Sequence, residues 1–187
     1  MEVIAQVTEM DNPIGKMFGN SHEIVECIEC LKGNGPDDTM ELIYAQTDSL
    51  GFDIRPSIED GTALDEFRKM CIRQGVDESD IDNMIQDPWS ILPRAQHRTE
   101  IVAKKSGYVS QIHALTIGEI LCKLGAGRTG ENPDIDHGVG AELLVEQGEY
   151  IESGTPWIRF DTNAKLAPEM IDQIQIALSL SAEETKI

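Results

Sequence analysis

Apolar residues recur along the chain at two different spacings, and the spacing changes near residue 87. At the start, Val3, Ile4, Ala5 and Val7 surround Gln6 and predict a short strand, stopped by Asp11-Asn12-Pro13-Ile14-Gly15. From Ser21 the period becomes helical, with Ile24, Ile28 and Leu31 on one stripe and Gly33 as the residue just past the end. After the Asn34-Gly35-Pro36 turn, Asp37 or Asp38 is placed to cap a second helix through Met40, Leu42, Ile43 and Tyr44. Gln46 to Ser57 holds no sustained period. Helical order returns at Thr62, three residues before Asp65 in a loose capping box, with Leu64, Phe67, Met70 and Cys71 as the stripe and Gly75 as the stop. A shorter acidic helix over Ser79 to Gln86 would bury Ile81, Met84 and Ile85.

Asp87-Pro88-Trp89-Ser90-Ile91-Leu92-Pro93 ends that pattern, and the prolines place a boundary there, giving parts 1–87 and 88–187. The second part alternates strand and turn. Ile101-Val102-Ala103 and Tyr108-Val109-Ser110-Gln111-Ile112 predict strands on either side of Ser106-Gly107. One helix interrupts them, capped by Thr116 with Glu119 reaching back, lined by Ile117, Ile120, Leu121 and Leu124, and stopped by Gly125. A polar, glycine-rich loop from Gly125 to Gly140 leads into Leu143-Leu144-Val145. Turns at Gly148 and Gly154-Thr155-Pro156 precede the strand Trp157-Ile158-Arg159-Phe160. Pro168 opens a last helix with the face Ile171, Ile174 and Leu178. The fold class is α+β, with a small sandwich or barrel core in the second part.

Composition narrows the function. The chain has 187 residues, of which 40% are hydrophobic, and its formal charge is −19. Such a surface repels nucleic-acid phosphates and anionic lipid, so neither partner is expected. No apolar run is long enough to span a bilayer, and the first residues lack the basic, then apolar, pattern of a secretion signal. Four scattered cysteines suit a reduced, cytoplasmic chain better than a disulfide framework.

Few residues point to chemistry. Cys27-Ile28-Glu29-Cys30, with His22 as the only nearby further ligand, lacks the context of a redox or zinc pair and reads as two half-buried helix positions. Leu124-Gly125-Ala126-Gly127-Arg128 follows a helix and Gly138-Val139-Gly140 precedes a strand, whereas phosphate loops lie between a strand and a helix. Both read as turns needing positive φ, with Arg128 left as a candidate anion ligand. No serine sits in a Gly-x-Ser-x-Gly elbow; His113 reads as structural and His137 as a solvated loop residue. Catalytic residues therefore number none. The run Val145-x-x-Gly148-x-x-Ile151-x-x-Gly154-x-Pro156, with Ser106-Gly107-Tyr108-Val109, resembles the two halves of a biotinyl or lipoyl carrier. Lys104-Lys105 lies before the glycine rather than at a hairpin tip, and Met-Lys-Met does not occur.

Several blocks in order resemble the pyrimidine-nucleoside and thymidine phosphorylases. They are Thr8-Glu9-Met10-Asp11-Asn12-Pro13-Ile14-Gly15, Gly19-Asn20, Glu23-Ile24-Val25-Glu26, Gly61-Thr62-Ala63-Leu64-Asp65-Glu66-Phe67 with Gln74-Gly75, and Ser106-Gly107-Tyr108-Val109. Leu124-Gly125-Ala126-Gly127-Arg128, Val139-Gly140-Ala141-Glu142-Leu143-Leu144 and Gly154-Thr155-Pro156-Trp157 complete the series. The resemblance implies the tail of an α/β domain up to about Gln86, followed by that family's C-terminal α+β domain.

It implies a pentosyltransferase by family: phosphate attacks the sugar C1′ of a pyrimidine nucleoside and the base leaves, in a homodimer. Family members are much longer, and this chain resembles only their C-terminal part. The segments that hold phosphate (lysine-x-serine with a glycine-rich stretch) and the arginine, serine and lysine that grip the pyrimidine are not recognised here. The chain alone is therefore expected to be inactive, either a fragment of a working enzyme, a non-catalytic binding or regulatory module, or a carrier-like domain. Its strand at Val3 to Val7 is expected to expose an unpaired edge, and a helix is expected to be missing between Tyr44 and Ser57. No cofactor is required. The resemblance also implies a monovalent cation such as potassium, held by the carbonyls of Ile14 and Met17 and by Glu26.

Overall fold

The structure is a computed structural model that describes residues 3–128 and 134–184. Within it the chain forms two compact units, one of Met1–Thr8 and Ile24–Leu92, the other of Glu9–Glu23 and Pro93–Ile187. The units interleave, with crossings at 8/9, 23/24 and 92/93, rather than dividing once at 87/88. The cause lies in residues 9–23: Met17–Phe18 forms β1 and pairs with a strand of the second unit.

Among the described residues the first unit is helical. α1 runs Asn20–Leu31, with the 23/24 crossing inside it, followed by α2 (Asp37–Ser49), α3 (Arg55–Glu59), α4 (Thr62–Arg73) and α5 (Glu78–Gln86). Ile28 and Cys30 lie two residues apart, about 200° around the helix, so they point into different clusters. Ile28 packs with Ile81 and Met84, and Cys30 with Met40 and Ile58. α1 is thus the spine between two small cores.

Several local expectations are corrected here. Residues 3–10 are exposed and form no strand; Val7 is fully exposed, and Gln6 Nε2 donates to Ala45 O at 3.0 Å. Among the described residues the apolar cluster there has no neighbouring strand in its own unit to pair with. Pro36, not an aspartate, occupies the cap of α2, while Asp37 and Asp38 fall in its first turn, where their charge suits the helix dipole. The stretch read as irregular carries the end of α2 and the start of α3. Thr62 is the first residue of α4, and Gly61 its cap, because the Asp60 carboxylate takes Thr62 N and Oγ1 at 2.9 and 2.7 Å.

The second unit is two antiparallel sheets with helices α6 (Ala114–Leu124) and α7 (Pro168–Ile176). The first sheet has the order β1-β4-β6-β2, where β2 is His97–Val102, β4 Gly140–Leu143 and β6 Pro156–Thr162. The second has the order β5-β3-β7, from Tyr150–Ile151, Gly107–Ile112 and Leu178–Ser181. Leu178 therefore opens β7 instead of completing the face of α7. α6 begins at Ala114 with His113 as its cap, so Thr116 lies inside its first turn. The chain changes sheets at 103–106, where Ala103 N and Gly154 N bond to Thr155 O and Ala103 O, each at 2.8 Å.

Trp157, Ile158 and Phe160 of the central strand β6 are fully buried with Val109, Ile117, Val139 and Ile174. Of the glycines read as turns, Gly125 has φ +110°, but Gly127, Gly138 and Gly140 have no positive φ. They serve by lacking a side chain: a Cβ on Gly127 would lie 2.5 Å from Cys122 Sγ. The protein is a mixed α+β fold, and no helix among the described residues is long and apolar enough to cross a membrane.

Phe160 fills the middle of this core, so Phe160→Ala is expected to destabilise the second unit by about 3–5 kcal/mol. The exposed Phe52→Ser should change stability by less than about 0.5 kcal/mol. Urea unfolding of the two variants measures both; equal losses would refute the assignment of the core.

Candidate functional site

Antiparallel pairing on both sides of β6 builds two rows of charge on one face of the first sheet. Register sets Arg98 and Gly140 opposite Asp161, and Glu100 and Glu142 opposite Arg159. Residues 159 and 161 share a face because strand side chains alternate. In the outer row Arg159 bridges both neighbours, with Nη2 donating to Glu100 at 2.8 Å and Nη1 to Glu142 at 2.9 Å.

The inner row centres on a buried carboxylate, while Arg94 and Arg98 around it stay partly exposed. Asp161 is 2% exposed and accepts Arg94 Nε at 2.7 Å and His22 Nε2 at 3.1 Å on Oδ2. Arg98 approaches with two nitrogens, Nε to Oδ1 at 2.9 Å and Nη2 to Oδ2 at 3.2 Å. A charge removed from water needs such partners to be tolerated. His22 is equally buried, on the first turn of α1, and it carries on Nε2 the hydrogen that it donates. Its ring lies against Gly140: a Cβ there would sit 2.2 Å from Nδ1, so no other residue fits without moving the imidazole. Gly19, at φ +102°, immediately precedes α1, and a side chain on it would meet Val139 O at 2.5 Å. Glu23 Oε1 accepts the Gly19 N–H and closes that first turn.

Burial pushes the Asp161 carboxyl up, but hydrogen bonds from His22 and Arg98 and the charge of Arg98 outweigh it and hold it below the ordinary carboxylate value. An imidazole and two guanidiniums donate to one carboxylate. The arrangement holds chain segments in place. Sequence reasoning singled out His22 only as a ligand beside the cysteines and missed Arg94, Arg98 and Asp161, because their meeting depends on pairing between segments 139 positions apart. The one signal available was two arginines, 94 and 98, four residues apart in an acidic chain.

The residues singled out from sequence fall in both units. Ile14 and Met17 belong to the second unit and Glu26, half-buried on α1, to the first. Leu143 N bonds Lys16 O at 2.7 Å, so by strand alternation the Met17 carbonyl points away from β4. Carbonyl and carboxylate oxygens are donors of the kind that a hard cation takes. Cys30 is buried, and burial followed by the Glu26 charge pushes its thiol up to about 11. Cys27 shifts the same way for the same causes, the reverse of a reactive thiol pair. His22, the ligand considered for that pair, bonds Asp161 instead.

His113 Nε2 lies 3.1 Å from Ser179 Oγ, and His137 is exposed while its carbonyl accepts Ser21 N. Arg128 is exposed, and residues 129–133 of its loop lie outside the described residues. Lys104-Lys105-Ser106-Gly107 does have lysine-x-serine spacing. It forms the corner between the sheets, however, where Lys104 pairs with Asp172 at 2.8 Å and Ser106 Oγ accepts Ser153 N at 2.9 Å. A strand follows it rather than a helix, so it makes no phosphate cradle.

A carboxylate depressed on folding stabilises above its unfolded value, and that contribution fades as pH falls through its folded value. Asp161→Asn should therefore be less stable than the natural protein at pH 7, with the gap narrowing below about pH 4. Urea unfolding between pH 7 and pH 3 measures it; a gap independent of pH would contradict the assignment.

Comparison with known proteins gives one family. Residues 108–181 match the family model described as pyrimidine nucleoside phosphorylase C-terminal domain. Thymidine phosphorylases from Rattus norvegicus and Homo sapiens are each 34% identical over 176 residues, 85% of this chain, and the match spans 37% and 36% of their own lengths. Pyrimidine-nucleoside phosphorylase from Bacillus subtilis is 33% identical over 97% of this chain and 44% of its own length. The chain thus spans roughly two-fifths of the length of the curated relatives it matches. It is a pyrimidine nucleoside phosphorylase-like protein and carries that family's C-terminal domain.

Proposed function

We propose that this chain supplies the C-terminal portion of a pyrimidine-nucleoside phosphorylase and is catalytically silent by itself. The reaction of such an enzyme is phosphate-dependent cleavage of a pyrimidine nucleoside to base and pentose 1-phosphate. It needs cationic groups on the attacking phosphate and a donor for the departing base. The observation that carries the reading is the match itself, which covers 85–97% of this chain but 36–44% of the relatives. The site geometry agrees with a positioning role. Both arginines of the buried cluster are engaged by Asp161, and the lysine-x-serine run is built into a corner between sheets.

Purified chain incubated with thymidine or uridine and inorganic phosphate is expected to release no thymine or uracil above the protein-free control. Chromatography of the bases measures it, and phosphate-dependent release would overturn the inactivity.

The cation belongs to the same reading. The carbonyls of Ile14 and Met17 and the Glu26 carboxylate offer the oxygen donors a potassium ion takes. Potassium chloride, compared with tetramethylammonium chloride at equal ionic strength, is then expected to raise the thermal midpoint, because a ligand that binds only the folded state stabilises it. Glu26→Gln should abolish that rise. Identical midpoints in the two salts would remove the cation from the reading.

A further inference from the structure

Asparagine is among the chemically labile residues, most of all before glycine, whose amide nitrogen has no side chain to shield it from the neighbouring side-chain carbonyl. Asn34 is the only asparagine that precedes a glycine, and Asp60 is the only aspartate that does. Both pairs lie in the first unit, just past the ends of α1 and α3. The fold treats them differently. Asp60 Oδ1 accepts Thr62 Oγ1 at 2.7 Å and Thr62 N at 2.9 Å, and these bonds hold its carboxyl below the ordinary value. An ionised carboxylate is a poor electrophile, and the Gly61 N–H beside it is already bonded to Ile58 O at 3.3 Å.

Asn34 has neither restraint. It is exposed, and its side-chain amide reaches Glu29 Oε2 at 3.4 Å, the outer limit of a hydrogen bond. The Gly35 N–H meets no acceptor among the described residues. Glycine is nonetheless required at 35: a Cβ there would run into Cys30 Sγ and lie 2.9 Å from Cys30 Cα. The turn before it is fixed, with Gly33 at φ +81° and Asn34 N bonding Glu29 O at 2.8 Å to close α1. Packing against α1 thus imposes the labile pair, and nothing in the turn protects it.

We propose that Asn34-Gly35 is a self-modification site, where the folded protein converts position 34 to a mixture of aspartate and isoaspartate. The Gly35 nitrogen gives its proton to base and bonds to Asn34 Cγ. The Cγ–Nδ2 bond breaks, and Nδ2 leaves as ammonia with a proton taken from water. Water then opens the cyclic imide, giving aspartate by attack at Cγ and isoaspartate by attack at the main-chain carbonyl. Both products set a carboxylate beside Glu29, and isoaspartate lengthens the main chain where Gly35 has no slack against Cys30. The site lies wholly in the first unit and is independent of the catalytic reading.

The full chain, folded or unfolded in guanidinium chloride, is held at 37 °C and pH 8 and then cleaved after glutamate. Mass and labelling by isoaspartyl methyltransferase follow the peptides. In the folded protein the 30–41 peptide should gain the mass of an amide-to-acid exchange and take up methyl groups. Its rate should stay within about tenfold of the unfolded chain, because an exposed turn reacts without local unfolding. Peptides 60–66, 79–100 and 153–169, which hold Asp60, Asn83 and Asn163, should label roughly tenfold more slowly or less. Conversion should quicken between pH 6 and pH 8, since the attacking nitrogen must lose a proton. Asn34→Gln, whose longer side chain closes a larger and slower ring, should silence the 30–41 peptide. A 30–41 peptide that stays unmodified in the folded protein would overturn the proposal. So would equal labelling of the other three peptides, or a signal that survives in Asn34→Gln.

Discussion

One buried carboxylate constrains much of what surrounds it. Asp161 sits on the central strand of a four-stranded sheet, 2% exposed, where an unpaired charge would cost several kcal/mol. Its partners answer that cost: two guanidiniums and an imidazole converge on two oxygens. From this follow features that look unrelated in sequence. Gly140 lacks a side chain because His22 needs the room, and Gly19 takes a left-handed conformation so that α1 can start against Val139. Residues 9–23 join the second unit because β1 pairs with β4 and His22 reaches β6.

The two rows on that sheet face differ in kind. Arg159, between Glu100 and Glu142, is a partly exposed ladder across three strands, and ladders of that sort contribute modestly in water. In the Asp161 row the carboxylate and His22 are buried while Arg94 and Arg98 reach water, so a lost partner strands the charge of the carboxylate. Among the described residues the first unit has no buried ion pair of this kind. Its two small apolar clusters divide around α1, and α4 buries none of its residues fully, so its order rests on the Ile28 and Cys30 contacts and on turn hydrogen bonds such as those of Asp60.

Much of the architecture was legible in the sequence, for physical reasons. Helical stripes at Ile24 to Leu31 and Leu64 to Cys71 announced α1 and α4, and glycines at 33, 75 and 125 stopped helices with positive φ. The apolar strand around Trp157 became the centre of the core. The family was legible too, through blocks that keep their order along the chain. Helix starts were read less well at 36, 61 and 113, since cap preference cannot tell which of several neighbouring polar residues takes the position.

The sequence by itself therefore determined the α+β class, most of the elements and the phosphorylase likeness, because these rest on periodicity, turn chemistry and ordered motifs. Only the tertiary structure decided three other things. Val3 to Val7 is not a strand, because a strand needs a neighbour and no local pattern supplies one. Leu178 belongs to β7, because its partner Ile112 is 66 positions away. The meeting of His22, Arg94, Arg98 and Asp161 depends on the register of β2 and β4 against β6, and register is a property of paired strands that no single segment encodes.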